Sequence, residues 1–219
     1  MVEVSASILN LDPKNVIQTL YNLETAGINY FHIDVMDGKF VKNNTTDKML
    51  EYCEYLNSIS NLPLDVHLMV EDVKSYIKSF LVFEPNIITV HLESAKNKEQ
   101  LKEWIDFIKE NNTKVGISIK PNTKIEEIYE FLPYIHLVLV MTVEPGEGGQ
   151  SLITETIQKI EELNQYRKKS KLEFDIEVDG GINTTNAHLL KEAGADIIVS
   201  GSAIVKSENF KEVVEELKK

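Results

Sequence analysis

Tyr30-Phe31-His32-Ile33-Asp34-Val35-Met36-Asp37-Gly38 alternates functional and aliphatic side chains up to a glycine. A β-strand sends alternate side chains to opposite faces, so His32, Asp34 and Met36 share one face and Phe31, Ile33 and Val35 the other. Asp37 breaks the alternation and reads as a structural residue of the turn into Gly38. Leu64-Asp65-Val66-His67-Leu68-Met69 repeats the device, with Asp65, His67 and Met69 aimed one way. Two strands that each present an acid, an imidazole and a thioether are poorly explained as core packing. They read as the walls of a metal site.

Outward from these strands, short β-branched runs alternate with amphipathic segments along the whole chain. The strand-like runs are 2–9, 30–36, 64–69, 87–92, 114–119, 137–142, 174–178 and 196–200. Between them, apolar residues recur at helical spacing: Val73, Tyr76, Ile77, Phe80; Leu101, Trp104, Ile105, Ile108; Phe210, Val213, Val214, Leu217. Asp12 before Pro13, Asp72, Asn183-Thr184-Thr185 and Ser207 are the expected helix caps. Eight strand–helix units in one unbroken domain, residues 1–219, are the count for a (β/α)8 barrel of the α/β class. A doubly wound sheet shares the pattern, because periodicity does not report closure. In both, chemistry belongs at the C-terminal strand ends.

The 219 residues carry 23 basic and 35 acidic side chains, a formal charge of −12 without a basic stripe, which argues against nucleic-acid binding. One cysteine, Cys53, excludes an intrachain disulfide framework. No apolar run approaches membrane length, and Met1-Val2-Glu3-Val4-Ser5 lacks the pattern of a secretory leader, so a cytoplasmic protein is expected.

His32, Asp34, His67 and Asp179 stand at strand ends that could converge at the barrel mouth. Two imidazoles and two carboxylates suit one divalent ion, Zn²⁺, Fe²⁺, Mn²⁺ or Co²⁺. The competing reading makes the histidines hydrogen-bonded interior residues and lets Asp34 and Asp65 cap loops. His91 is expected to bond Glu93 or a neighbour, and His136 and His188 to be structural or superficial. Three successive βα loops carry glycines: Gly146, Gly148 and Gly149 (with Glu147 among them), Gly180-Gly181, and Gly201-Ser202. Such loops let backbone N–H groups approach a phosphate. Met36, Met69 and Met141 end strands aimed at the same mouth, as packing or as an apolar cap over a reactive intermediate.

Ser5-Ala6-Ser7-Ile8-Leu9, His32-Ile33-Asp34-Val35-Met36-Asp37-Gly38-Lys39-Phe40-Val41, Leu64-Asp65-Val66-His67-Leu68-Met69, the run Met141 to Gln150, and Val178-Asp179-Gly180-Gly181-Ile182 together resemble the ribulose-phosphate 3-epimerase family. The resemblance runs from residue 4 to about residue 205. It implies a ribulose-phosphate-binding barrel, an isomerase that interconverts D-ribulose 5-phosphate and D-xylulose 5-phosphate in carbohydrate metabolism. By motif, His32, Asp34, His67 and Asp179 would hold the metal, with Asp34 as proton acceptor and Asp179 as donor on opposite faces of C3. Ser7, His67 and the methionines would contact the substrate, and the glycine loops would take its phosphate. A homo-oligomer is also what the resemblance implies. Proton loss beside a C2 ketone gives an enediolate, whose charge a chelating metal would stabilise.

The chain departs from the family pattern at Lys42-Asn43-Asn44, Lys120, Glu144 and Glu147, which leaves a ketohexose substrate such as allulose 6-phosphate as the alternative. Hexulose-phosphate synthase and orotidine-phosphate decarboxylase relatives would place Asp-x-Lys-x-x-Asp on a strand, and the equivalent strand here has no lysine. A non-catalytic sugar-phosphate-binding barrel has no reason to hold both acids with both histidines.

Overall fold

The computed structural model describes residues 2–219, which form eight parallel strands: β1 (Glu3–Ser7), β2 (Tyr30–Met36), β3 (Leu64–Met69), β4 (Ile87–His91), β5 (Lys114–Ile119), β6 (Leu137–Met141), β7 (Asp175–Asp179) and β8 (Ile197–Ser200). Each pairs with the next, and β8 returns to β1 with Glu3 opposite Ile197 and Ala6 opposite Ser200. The sheet therefore closes as a (β/α)8 barrel, and the doubly wound alternative falls.

Phe31, Ile33 and Val35 face outward from β2 and are wholly buried in the main core, as Val66 and Leu68 of β3 are. Such side chains fit a pleated surface, and each stabilises the fold by roughly 1.5–3 kcal/mol when fully buried. Around them lie α1 (Val16–Thr25), α2 (Thr46–Ile59), α3 (Val73–Leu81), α4 (Lys98–Glu110), α5 (Glu155–Ser170), α6 (Ala187–Ala193), α7 (Ser202–Val205) and α8 (Phe210–Lys218). In α4 the predicted stripe Leu101, Trp104, Ile105 and Ile108 is the buried one. Its first turn is held by the Asn97 side chain, which accepts from the Gln100 N–H at 2.9 Å.

The expected caps at Asp12 and Asp72 accept from the N–H groups of Lys14 and Ser75. Two others move. Asn209, not Ser207, caps α8 by accepting from Glu212 N–H, while Ser207 turns the chain one step earlier. Asn183 accepts from Thr185 N–H ahead of α6, which starts only after Asn186. The largest departure lies between β5 and β6, where two short 3-10 turns, Ile125–Ile128 and Leu132–Tyr134, replace the expected α-helix. Pro121 precedes that segment and Pro133 lies within its second turn, and both withhold backbone donors from a longer ladder. Among the described residues no helix is long and apolar enough to cross a membrane.

Inside the barrel the two halves differ. Ile87, Leu137, Leu139, Met141 and Ile197 form an apolar interior on the side of β4, β6 and β8. On β2, β3 and β7 the inward positions below Met36 and Met69 are polar, and the candidate site stands there.

Candidate active site

Register brings the two motif strands into step: His32 lies beside Asp65, Asp34 beside His67 and Met36 beside Met69. Across the barrel, Asp179 ends β7 beside Met141 of β6 and Val199 of β8. The result is a four-residue cluster of His32, Asp34, His67 and Asp179 whose donor atoms all lie within 4.8 Å of one another. Asp34 Oδ1 is 3.4 Å from both His32 Nε2 and His67 Nδ1, and Asp179 Oδ2 is 3.9 and 4.0 Å from the same nitrogens.

Those nitrogens decide whether a cation fits. His32 Nε2 and His67 Nδ1 are buried and have no hydrogen-bond partner. The opposite nitrogen of each ring is engaged, His32 Nδ1 with Asp65 Oδ2 at 2.5 Å and His67 Nε2 with His91 Nε2 at 2.8 Å. Buried polar atoms are normally satisfied, so two bare nitrogens aimed at two carboxylates mark a place for a shared ligand. Donors bound at about 2.1 Å around a tetrahedral centre stand roughly 3.4 Å apart, which is the spacing of Asp34 from each imidazole.

Charge tells the same story. Burial opposes a charge on His32, yet the carboxylates of Asp65 and Asp34 outweigh it and hold the imidazole well above its ordinary 6.5. Burial likewise opposes ionisation of Asp34, but His32 and His67 keep that carboxyl far below the usual range. Burial, then the charge of Asp34, pushes Asp179 up to about 7. The cluster thus favours positive charge, and it drives its two rim carboxyls apart in acidity.

Ser7 donates to Asp34 Oδ2 at 2.7 Å, and Thr45 Oγ1 donates to the Asp34 carbonyl at 2.6 Å. Above them opens a cavity of about 480 Å³ lined by Ser7, Asp34, Met36, Met69, Met141, Asp179 and all three glycine loops, Ser202 included. Met36, Met69 and Met141 are each 2% exposed and supply apolar lining. His67 is wholly buried two residues before Met69 on β3. Gly181 turns the β7 loop with φ +70°, and a Cβ there would sit 2.8 Å from Ser151 C and 2.9 Å from the Gln150 carbonyl oxygen. Only glycine lets the β6 and β7 loops meet so closely.

Asp37 holds its turn by accepting from Lys39 and Phe40 N–H through Oδ1 and from Glu71 N–H through Oδ2. His91 bonds Glu93, His136 Nδ1 accepts from Val115 N–H, and His188 is exposed. Asp65 caps no loop; it is an interior acceptor for Ser5 Oγ and His32. Of the departures, Lys42, Glu144 and Glu147 are exposed, Asn43 donates to the Gly146 carbonyl at 2.7 Å, and Lys120 Nζ lies 4.2 Å over the Phe40 ring. Glu177 is the residue that the sequence reading misses. It is fully buried beneath the cluster beside Asp65 and is kept protonated by burial and by the Asp65 charge. The alternation Glu177-Val178-Asp179 is the signal that could have found it.

Residues 3–205 match the ribulose-phosphate 3 epimerase family. The chain belongs to that family. The ribulose-phosphate 3-epimerase of Bacillus subtilis strain 168 is 37% identical over 219 residues, spanning 100% of this chain and 99% of the relative. That of Treponema pallidum strain Nichols is 39% identical over 200 residues, 91% of this chain and 89% of the relative. Full-length likeness of this order makes the chain an epimerase. The crystal structure of 3-hexulose-6-phosphate synthase from Salmonella typhimurium superposes with a TM-score of 0.69, covering 99% of this chain and 96% of that one. At 11% identity it attests the shared fold alone.

Proposed function

We propose that this barrel inverts C3 of D-ribulose 5-phosphate to give D-xylulose 5-phosphate, with His32, Asp34, His67 and Asp179 holding one divalent metal ion. The observation that carries the reading is the pair Asp34 and Asp179: two carboxyls from opposite sides of one cluster, one held ionised and the other raised to about 7. Paired groups whose environments separate their acidities are the signature of a base and an acid working together.

Asp34 takes the C3 proton from one face, leaving an enediolate across C2 and C3, and Asp179 returns a proton to the other face. In the reverse direction the roles exchange. Ser7 keeps one Asp34 oxygen occupied, so that the carboxylate turns its other oxygen to the cluster. Met36, Met69 and Met141 keep water from the carbanionic carbon. The backbone of the three glycine loops binds the phosphate, and the exposed Glu144 and Glu147 project from that rim. A divalent cation bound by the four residues would stabilise the negative charge developing on the two substrate oxygens.

The test is C3 proton exchange of ribulose 5-phosphate in D₂O, with metal analysis of the purified protein and hexulose 6-phosphates in parallel. Exchange with ribulose 5-phosphate is expected. Asp34→Asn and Asp179→Asn should each lower kcat by about 10²–10⁴-fold. An active double variant overturns the acid–base assignment, and faster turnover of a hexulose 6-phosphate overturns the substrate.

A further inference from the structure

His67 Nε2 meets His91 Nε2 at 2.8 Å, and His91 Nδ1 meets Glu93 Oε2 at 3.1 Å. The other Glu93 oxygen accepts from the Lys120 backbone N–H at 2.8 Å and from the Thr123 hydroxyl. Both imidazoles are fully buried, and the Phe40 ring covers His91 at 4.9 Å between centroids. The chain of contacts therefore runs unbroken from the cluster to Glu93.

Such a chain has a direction. A carboxylate has no hydrogen to give, so Glu93 can only accept, and His91 must carry its hydrogen on Nδ1. His91 Nε2 is then bare and accepts from His67 Nε2–H. His67 in turn has its hydrogen on Nε2 and a bare Nδ1, the atom that faces Asp34 and Asp179. Reversing both rings would set a lone pair of His91 against a carboxylate oxygen and place a hydrogen where His67 should offer a lone pair. His32 is directed by a different acid, Asp65, and presents the opposite nitrogen, Nε2.

We propose that Glu93, acting through His91, is a positioning residue that fixes the tautomer of His67 and so makes Nδ1 available as a metal ligand. The inference rests on the reading of His67 as a ligand and extends it to two residues that touch neither metal nor substrate. Residues behind a ligating histidine typically alter metal affinity by about 10–100-fold.

Glu93→Gln is the discriminating change because it keeps the shape. Lys120 N–H and Thr123 Oγ1–H hold the amide oxygen on their side, so the NH₂ group faces His91 Nδ1 and reverses the whole chain. Imidazole ¹⁵N spectra of the metal-free proteins read the tautomer directly, and Co²⁺ titration reads the consequence. The expected results are Nε2–H at His67 in the wild type, Nδ1–H in the variant, and a Co²⁺ dissociation constant about 10–100-fold higher in the variant. A wild-type spectrum with the His67 hydrogen on Nδ1 overturns the proposal without recourse to any variant. So does a folded Glu93→Gln protein that retains both the wild-type tautomer and the wild-type affinity. Wild-type protein that shows Nε2–H yet takes up no Co²⁺ overturns the metal reading alone.

Discussion

Gly181→Ala and Gly27→Ala form a matched pair that separates backbone strain from loop contact. Both glycines have positive φ, +70° and +85°. A methyl group at Gly27 would meet nothing within 4 Å. At Gly181 it would press on the backbone of Gln150, Ser151 and Leu152, with Ser151 C at 2.8 Å, about 0.6 Å inside ordinary contact. The left-handed conformation costs an L-residue roughly 1–2 kcal/mol, which both variants bear. Overpacking against a backbone that must itself move adds about 1–3 kcal/mol, which only Gly181→Ala bears. In a chain of this length 1 kcal/mol shifts Tm by about 2–4 °C. Gly27→Ala should therefore lose a few degrees, and Gly181→Ala roughly twice as much or more. Because the displaced segment continues from the proposed phosphate loop, Gly181→Ala should also raise KM for the sugar phosphate, while Gly27→Ala leaves KM unchanged. Thermal unfolding and steady-state kinetics measure both. Equal Tm losses, or an unchanged KM in a destabilised Gly181→Ala protein, would refute the claim that the β6 and β7 loops shape one another.

Two other outcomes follow from buried ionisable groups. Burial pushes the Cys53 thiol up to about 12, so at pH 8 the native protein should resist iodoacetamide while urea-unfolded protein reacts fully; stoichiometric labelling of the native state would contradict the packing of α2. Burial opposes the charge of Glu93, but hydrogen bonds from His91, Thr123 and the Lys120 backbone hold it at about 2, below its ordinary 4.5. A depressed carboxylate contributes stability above its unfolded value that is lost as pH falls through the folded one. Unfolding free energy should thus drop by roughly 3 kcal/mol between pH 4.5 and 2 on account of this group, and Glu93→Gln should flatten that limb in urea titrations.

Alternation in two strands was enough to place His32, Asp34 and His67 on one face, and the glycine runs marked the correct three loops. What alternation leaves open is depth. Asp34 and Asp65 both point into the barrel, but the register that sets Asp34 beside His67 and His32 beside Asp65 puts Asp65 one layer below the rim. Glu177 escaped for the same reason: a carboxyl two residues before Asp179 shares its direction but lies beneath the site. The missing helix after β5 shows the limit of counting units. Ile125, Ile128 and Leu132 are spaced like a helical stripe and are buried like one, yet the prolines on either side confine them to tight turns.

The β1–β8 seam ties the cavity to closure of the ring. Ser7, the donor to Asp34, abuts Gly201 only because the first and last strands meet; a Cβ at Gly201 would lie 3.1 Å from Ser7. Strands β1 to β7 carry Asp34, His67 and Asp179, but the cavity wall at Gly201 and Ser202 follows β8. The cavity is therefore whole only in the closed ring.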